Sequence, residues 1–137
     1  MSEKLWRYLR QDKRKVSGWL QRVDAEIIGA ILEFQSAQGI GGGCAEIGVH
    51  QGKSFIPLCM ALGAGERAIC IDVFDQQEKN LDASGRGDLS IFQDNLAAFQ
   101  LDTSTIDIIQ ASSEEVSPAQ ILDSVGPVRF FSVDGGH

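Results

Sequence analysis

The sequence lacks any uninterrupted apolar run approaching the roughly 18–20 residues that cross a bilayer. Its first fifteen residues are charged and hold no apolar core of a secretory leader. No membrane partner is expected, and the expected location is cytoplasmic. Cysteine is scarce: Cys44, Cys59 and Cys70 each fall inside an apolar pattern, and none belongs to a Cys-x-x-Cys pair. The odd count argues against a disulfide framework, and the spacing offers no structural zinc site. Buried, reduced thiols are expected instead. Internal repeats and low-complexity tracts are also absent.

What is present is the composition of an ordinary globular domain, with 137 residues, 43% of them hydrophobic, and a mean hydropathy of −0.06. That length carries one core. Charge is unevenly spread. Residues 1–22 hold seven Lys/Arg against Glu3 and Asp12, a balance of +5, and the rest holds five basic and seventeen acidic side chains, a balance of −12. An acidic body disfavours nonspecific nucleic-acid binding, so no nucleic-acid partner is expected. The basic head is read as a solvated helix face.

Residues 3–13 read as a short helix with Leu5, Trp6 and Leu9 on one side. Val16, Trp19, Leu20, Val23, Ile27, Ile31 and Phe34 then recur at helical spacing until Gly39. Residues 1–39 thus form an N-terminal helical segment, and Gly39–Gly43 leads into a domain over 40–137. There the chain alternates. Strands are expected near 44–48, 68–74, 106–109 and 128–133, with helices over 53–62, over Leu89, Phe92, Leu96 and Phe99, and from Ser117-Pro118-Ala119-Gln120, which combines capping-box spacing with proline at the first helical position. Residues 75–88 form a long polar loop. Its Arg86-Gly87-Asp88 reads as a turn before a helix. The order predicts an α/β fold: a Rossmann-like parallel sheet of about four strands with helices on both faces.

Glu46-Ile47-Gly48-Val49-His50-Gln51-Gly52-Lys53-Ser54 joins the first strand to its helix. Glycine lets backbone approach a ligand, and a helix N-terminus offers unpaired N–H groups. Three residues separate Gly48 from Gly52, one fewer than a phosphate loop requires. His50 stands where a dinucleotide fingerprint needs its second glycine. A carboxylate at Glu46 would repel a pyrophosphate and favour an ammonium or sulfonium group; its structural alternative is to fix the loop backbone. Asp72, ending the second strand, can accept hydrogen bonds from both hydroxyls of a ribose. His50 reads as a partly exposed loop residue.

Glu46-Ile47-Gly48-x-x-x-Gly52-x-Ser54, then Ile71-Asp72-Val73-Phe74, then Phe131-Ser132-Val133-Asp134-Gly135-Gly136-His137 resembles the class I S-adenosylmethionine-dependent methyltransferases. Among these it is most similar to the branch with Asp-Gly-x-His after strand four, which includes sugar O-methyltransferases and cephalosporin-hydroxylase-like proteins. The similarity covers about residues 40–137. It implies that Glu46, Gly48 and Gly52 frame the methionine part of the cofactor, that Val49 and Ser54 also belong to the cofactor site, that Asp72 binds the ribose, and that Val73 and Phe74 flank the adenine. Ser112 stands where many members place an adenine-contacting Asp. The resemblance also makes Asp134 a ligand to a divalent cation such as Mg²⁺ and His137 a general base. The implied function is methyl transfer, with O-methylation of a small-molecule or sugar hydroxyl as the reaction. The alternatives are a noncatalytic nucleoside-binding module, or a P-loop or dinucleotide-binding protein, which the glycine spacing disfavours.

The family generally has seven strands in the order 3-2-1-4-5-7-6, and four are recognised here. The chain therefore reads as the cofactor-binding half of a longer protein, without the acceptor-binding half. Strand four would then be an exposed edge bearing Phe130 and Phe131, from which self-association through that edge and the N-terminal helices is expected.

Overall fold

The computed structural model describes residues 3–75 and 88–134. Helix α1 (Glu3–Arg10) is followed by a 3-10 turn (Asp12–Lys15) and helix α2 (Arg22–Ala37). Then come β1 (Gly43–Ile47), α3 (Phe55–Met60), β2 (Ala68–Asp72), α4 (Leu89–Ala98), β3 (Ile106–Gln110), α5 (Pro118–Val125) and β4 (Val128–Val133). The four strands form one sheet in the order β3-β2-β1-β4, and every neighbouring pair is parallel. The expected Rossmann-like architecture is therefore found. No described helix is long and apolar enough to cross a membrane.

Alternation along the strands divides the core between two faces. Cys44, Cys70, Ile108 and Phe130 face the layer of α1–α4, where Leu5, Leu9, Leu32, Phe55, Phe92 and Leu96 are buried. Ala45 and Ile69 face α5 and meet Val125 and Ile121 there. All three cysteines are buried and free, as their apolar settings imply. Local chemistry starts the later helices. Asp88 caps α4 by accepting from Ile91 N, and Ser117 caps α5 within a full capping box with Pro118 behind it.

The N-terminal segment departs from its expected form. The first helix stops at Arg10, and α2 begins only at Arg22, so Val16, Trp19 and Leu20 lie in the link between them. Within α2 the periodic apolar residues Val23, Ile27, Ile31 and Phe34 are exposed, whereas Ala25, Gly29 and Leu32 are buried. The reason is the close crossing of α1: a Cβ on Gly29 would stand 2.5 Å from the Trp6 ring and 2.8 Å from Leu9. Only the small-residue face of α2 can approach that near.

The basic head is a partly paired surface. Arg10 bonds Glu26 at 2.9 Å, and Arg7 and Lys15 both reach Asp12.

Candidate functional site

The carboxyl ends of β1, β2 and β4 converge where the strand order reverses between β1 and β4, the position at which open α/β sheets bind ligands. Gly48 N donates to Ile71 O at 2.8 Å, and Asp134 N donates to Ile47 O at 2.8 Å, so the end of β1 is held from both sides. The turn after β1 needs left-handed backbone at Gly48 (φ 83), His50 (φ 53) and Gly52 (φ 99). A Cβ on Gly52 would meet the Phe92 ring at 3.0 Å, so glycine is required there by packing as well as by φ.

Asp72 organises the turn. Its Oδ2 accepts from His50 N at 2.8 Å and its Oδ1 from Phe74 N at 2.8 Å. One carboxylate thus ties the β1 turn to the β2 turn, and each oxygen keeps a further lone pair. Phe74 has φ 49, and its ring packs in the core 5.3 Å from that of Phe92. Val73 is half-buried beside it.

Glu46 is fully buried on the α-helical layer's side of β1. Ser54 Oγ lies 2.9 Å from each of its carboxylate oxygens. Burial pushes its pKa up to about 8; hydrogen bonds from Ser132 and Ser54 oppose that, while the charges of Asp134 and Asp72 add to it. Without a nearby cation the Glu46 carboxyl is therefore mostly neutral at pH 7, and does not carry the standing negative charge expected from the sequence.

The expected helix N-terminus does not serve as an anion site. Helix α3 has six residues rather than ten, and Phe55 N and Ile56 N both donate to Gly52 O, at 3.1 and 2.9 Å. The Gly52 carbonyl consumes the amides that were expected to face a ligand. Ser54 precedes the helix without capping it, because its hydroxyl is turned to Glu46.

Of the remaining residues named from the sequence, Val49 is buried and packs in the core, so only its backbone borders the turn. Ser112 is half-buried after β3 and caps a 3-10 turn, accepting from Glu114 N, with Glu115 completing the capping box. Asp134 is exposed at the end of β4. His137 lies outside the described residues, as do Gly135, Gly136, Arg86 and Gly87. Among the described residues no group of three or more His, Cys, Asp or Glu could hold a metal ion. Asp134 alone is not a donor set for Mg²⁺, which is bound through carboxylates within a near-octahedral oxygen shell.

Several partners at the site were not found from the sequence. Tyr8 of α1 donates to Lys53 O at 2.7 Å, and Lys53 Nζ donates to Gly18 O at 3.2 Å. The imidazole of His50 lies 5.5 Å from the indole of Trp19, and its Nδ1 is buried with no hydrogen-bond partner. These contacts span 31 to 45 positions of sequence, and no local pattern announces them.

No protein-family model and no curated protein matches the chain. Among solved structures it is similar to the crystal structure of "a putative RNA methyltransferase" from Pyrococcus horikoshii, with a TM-score of 0.51 and 15% identity. The match covers 85% of this chain and 54% of that one, so this chain spans about half the length of its structural neighbour. At that identity the likeness concerns the fold. The chain has a methyltransferase-like α/β fold.

Proposed function

We propose that the chain binds S-adenosylmethionine at the switch point between β1 and β4 and serves methyl transfer to a hydroxyl of a small molecule or sugar. The observation that carries this reading is Asp72. Its two oxygens are fixed by one backbone N–H each and retain the lone pairs to accept both hydroxyls of a ribose. The turn beside it has left-handed backbone at Gly48 and Gly52, where the absence of a side chain lets backbone pass close to a ligand.

In this reading Gly48, Val49 and Gly52 border the ligand through backbone, and Glu46 with Ser54 lies behind the turn. Glu46 ionises when a cationic group of the ligand is near and so adds attraction only in the bound state. Val73 and Ser112 flank the base; Phe74 contributes through its backbone, since its ring is in the core. When bound, the sulfonium supplies an electrophilic methyl group. The chain's own residues bind, orient and shield it, and align the acceptor oxygen for in-line displacement. Asp134 and His137, beyond the end of β4, are assigned to orienting the acceptor hydroxyl and taking its proton. The body of this chain carries a balance of −12, which disfavours an RNA acceptor such as the structural neighbour's name indicates.

Calorimetry with S-adenosylmethionine, S-adenosylhomocysteine, ATP and NAD tests the reading. Both S-adenosyl ligands are expected to bind, and Asp72→Ala is expected to weaken them by at least about tenfold, the loss of a bidentate hydrogen-bonded group. Tight binding of ATP with no response to the S-adenosyl ligands would overturn it.

A further inference from the structure

The link between the 3-10 turn and α2 is anchored on both sides of one residue. Val16 and Leu20 are buried. Lys53 Nζ donates to Gly18 O at 3.2 Å, and Lys13 Nζ donates to Leu20 O at 2.6 Å. Gly18 has φ 134, and a Cβ there would stand 3.3 Å from His50 Nδ1, so the link presses directly onto the glycine turn. Between these anchors Trp19 is 72% exposed. Its ring centroid is 5.5 Å from that of His50, with the planes inclined at 50°. His50 in turn donates its backbone N–H to Asp72.

An indole left in water forfeits a large apolar burial. Here the backbone on each side of it is fixed by a lysine, so Trp19 does not owe its exposure to a loose chain. It is presented next to the ligand turn, as one plane of an aromatic corner whose other plane is His50. Among the described residues neither Lys13 nor Lys53 has a carboxylate partner, and both bond backbone carbonyls. Two ammonium groups therefore border the corner on the side of the link, while Asp72 and Asp134 lie on the site floor.

We propose that Trp19 and His50 form the acceptor wall of the site, and that this wall takes a planar aromatic ring carrying an anionic substituent, with Trp19 stacking on the ring and Lys13 and Lys53 attracting the anion. This rests on the proposed S-adenosylmethionine site, beside which the wall stands. Trp19 is then a positioning and specificity residue for the acceptor, and O-methylation falls on an aromatic acid rather than on a saturated sugar ring.

The test uses the full chain saturated with S-adenosylhomocysteine. It is titrated with 2-naphthoate, with its saturated decahydro counterpart and with 2-naphthylmethylammonium, while the two indole N–H resonances of Trp6 and Trp19 are followed by NMR. Naphthoate is expected to shift the Trp19 resonance, to leave that of Trp6 in place, and to bind at least about fivefold tighter than either other probe. Trp19→Leu should weaken naphthoate by about tenfold, Trp19→Phe should retain most of the binding, and both should keep the S-adenosylhomocysteine affinity. Equal binding of the planar and saturated acids, or naphthoate binding indifferent to Trp19→Leu, would overturn the inference. Tighter binding of the ammonium probe would overturn its charge assignment. Failure of S-adenosylhomocysteine to bind, with Trp19-dependent naphthoate binding intact, would instead remove the cofactor reading alone.

Discussion

At the scale of single residues, Glu46 is the group whose environment most alters its chemistry. It is enclosed between Ser54 and Ser132, and burial raises its carboxyl from an ordinary 4.5 to about 8. The folded state therefore holds a proton that the unfolded chain has released between those two pH values, and stability falls as pH rises through that window. Glu46→Gln removes this penalty. The variant is expected to be more stable than the parent at pH 8 by several kcal/mol, with the gap closing towards pH 5. Chemical denaturation at the two pH values checks this, and a gap of equal size at both would exclude ionisation as its cause. Sequence alone placed Glu46 in the turn motif and gave its two readings, ligand attraction and loop fixing. It did not place Ser132 beside it, because that depends on the pairing of Glu46 with Ser132 across β1 and β4.

At the scale of elements, Arg129 near the start of β4 joins parts of the fold that are far apart in sequence. Its side chain is 4% exposed and pairs with Glu66 at 2.9 Å. It also donates to Gln35 Oε1 of α2, to Ala61 O after α3 and to Gly42 O before β1. Burial works against ionisation of Glu66, yet hydrogen bonds from Arg129, Gly63 N and Gly42 N leave its pKa lowered. Arg129→Ala leaves that acid without its cation and opens contacts to three elements. A loss of about 3–5 kcal/mol is expected. Arg129→Met combined with Glu66→Gln should recover most of it, as measured by urea unfolding. In the sequence Arg129 is an ordinary polar residue in an apolar strand. By contrast α5 was legible from Ser117, Pro118 and Gln120, because a capping box is satisfied within four residues. Helix α2 was legible as a helix, but its buried face was not, since that face was chosen by the approach of Trp6 to Gly29.

Across the whole molecule, the outward stripe of α2 and the free edge of β4 belong together. Gln35 Nε2 donates to Arg129 O at 2.7 Å, which brings the end of α2 to β4. Val23, Ile27, Ile31 and Phe34 on the helix, and Phe131 and Val133 on the strand, are exposed. Among the described residues β4 ends the sheet, with one side of its backbone open. We predict that two copies associate by antiparallel pairing of β4 strands, flanked by the α2 stripes; a stable complex buries about 800 Å² per partner. Sedimentation velocity should show concentration-dependent association in the micromolar range, and Ile27→Lys with Val133→Lys should abolish it. A parent chain that stays monomeric throughout that range would refute the prediction.

The sequence by itself determined the strand–helix alternation, the parallel sheet, the three buried thiols, the helix caps, and the Gly48–Gly52 turn with Asp72 beyond it. Each of these is written in residues a few positions apart, where periodicity, cap chemistry and glycine conformation act locally. Only the tertiary structure decided that Glu46 is enclosed and mostly neutral, that the Gly52 carbonyl occupies the first amides of α3, that Arg129 ties β4 to α2, and that Trp19 stands over His50. Those outcomes depend on strand register and helix approach, which are set by packing between segments distant in the chain.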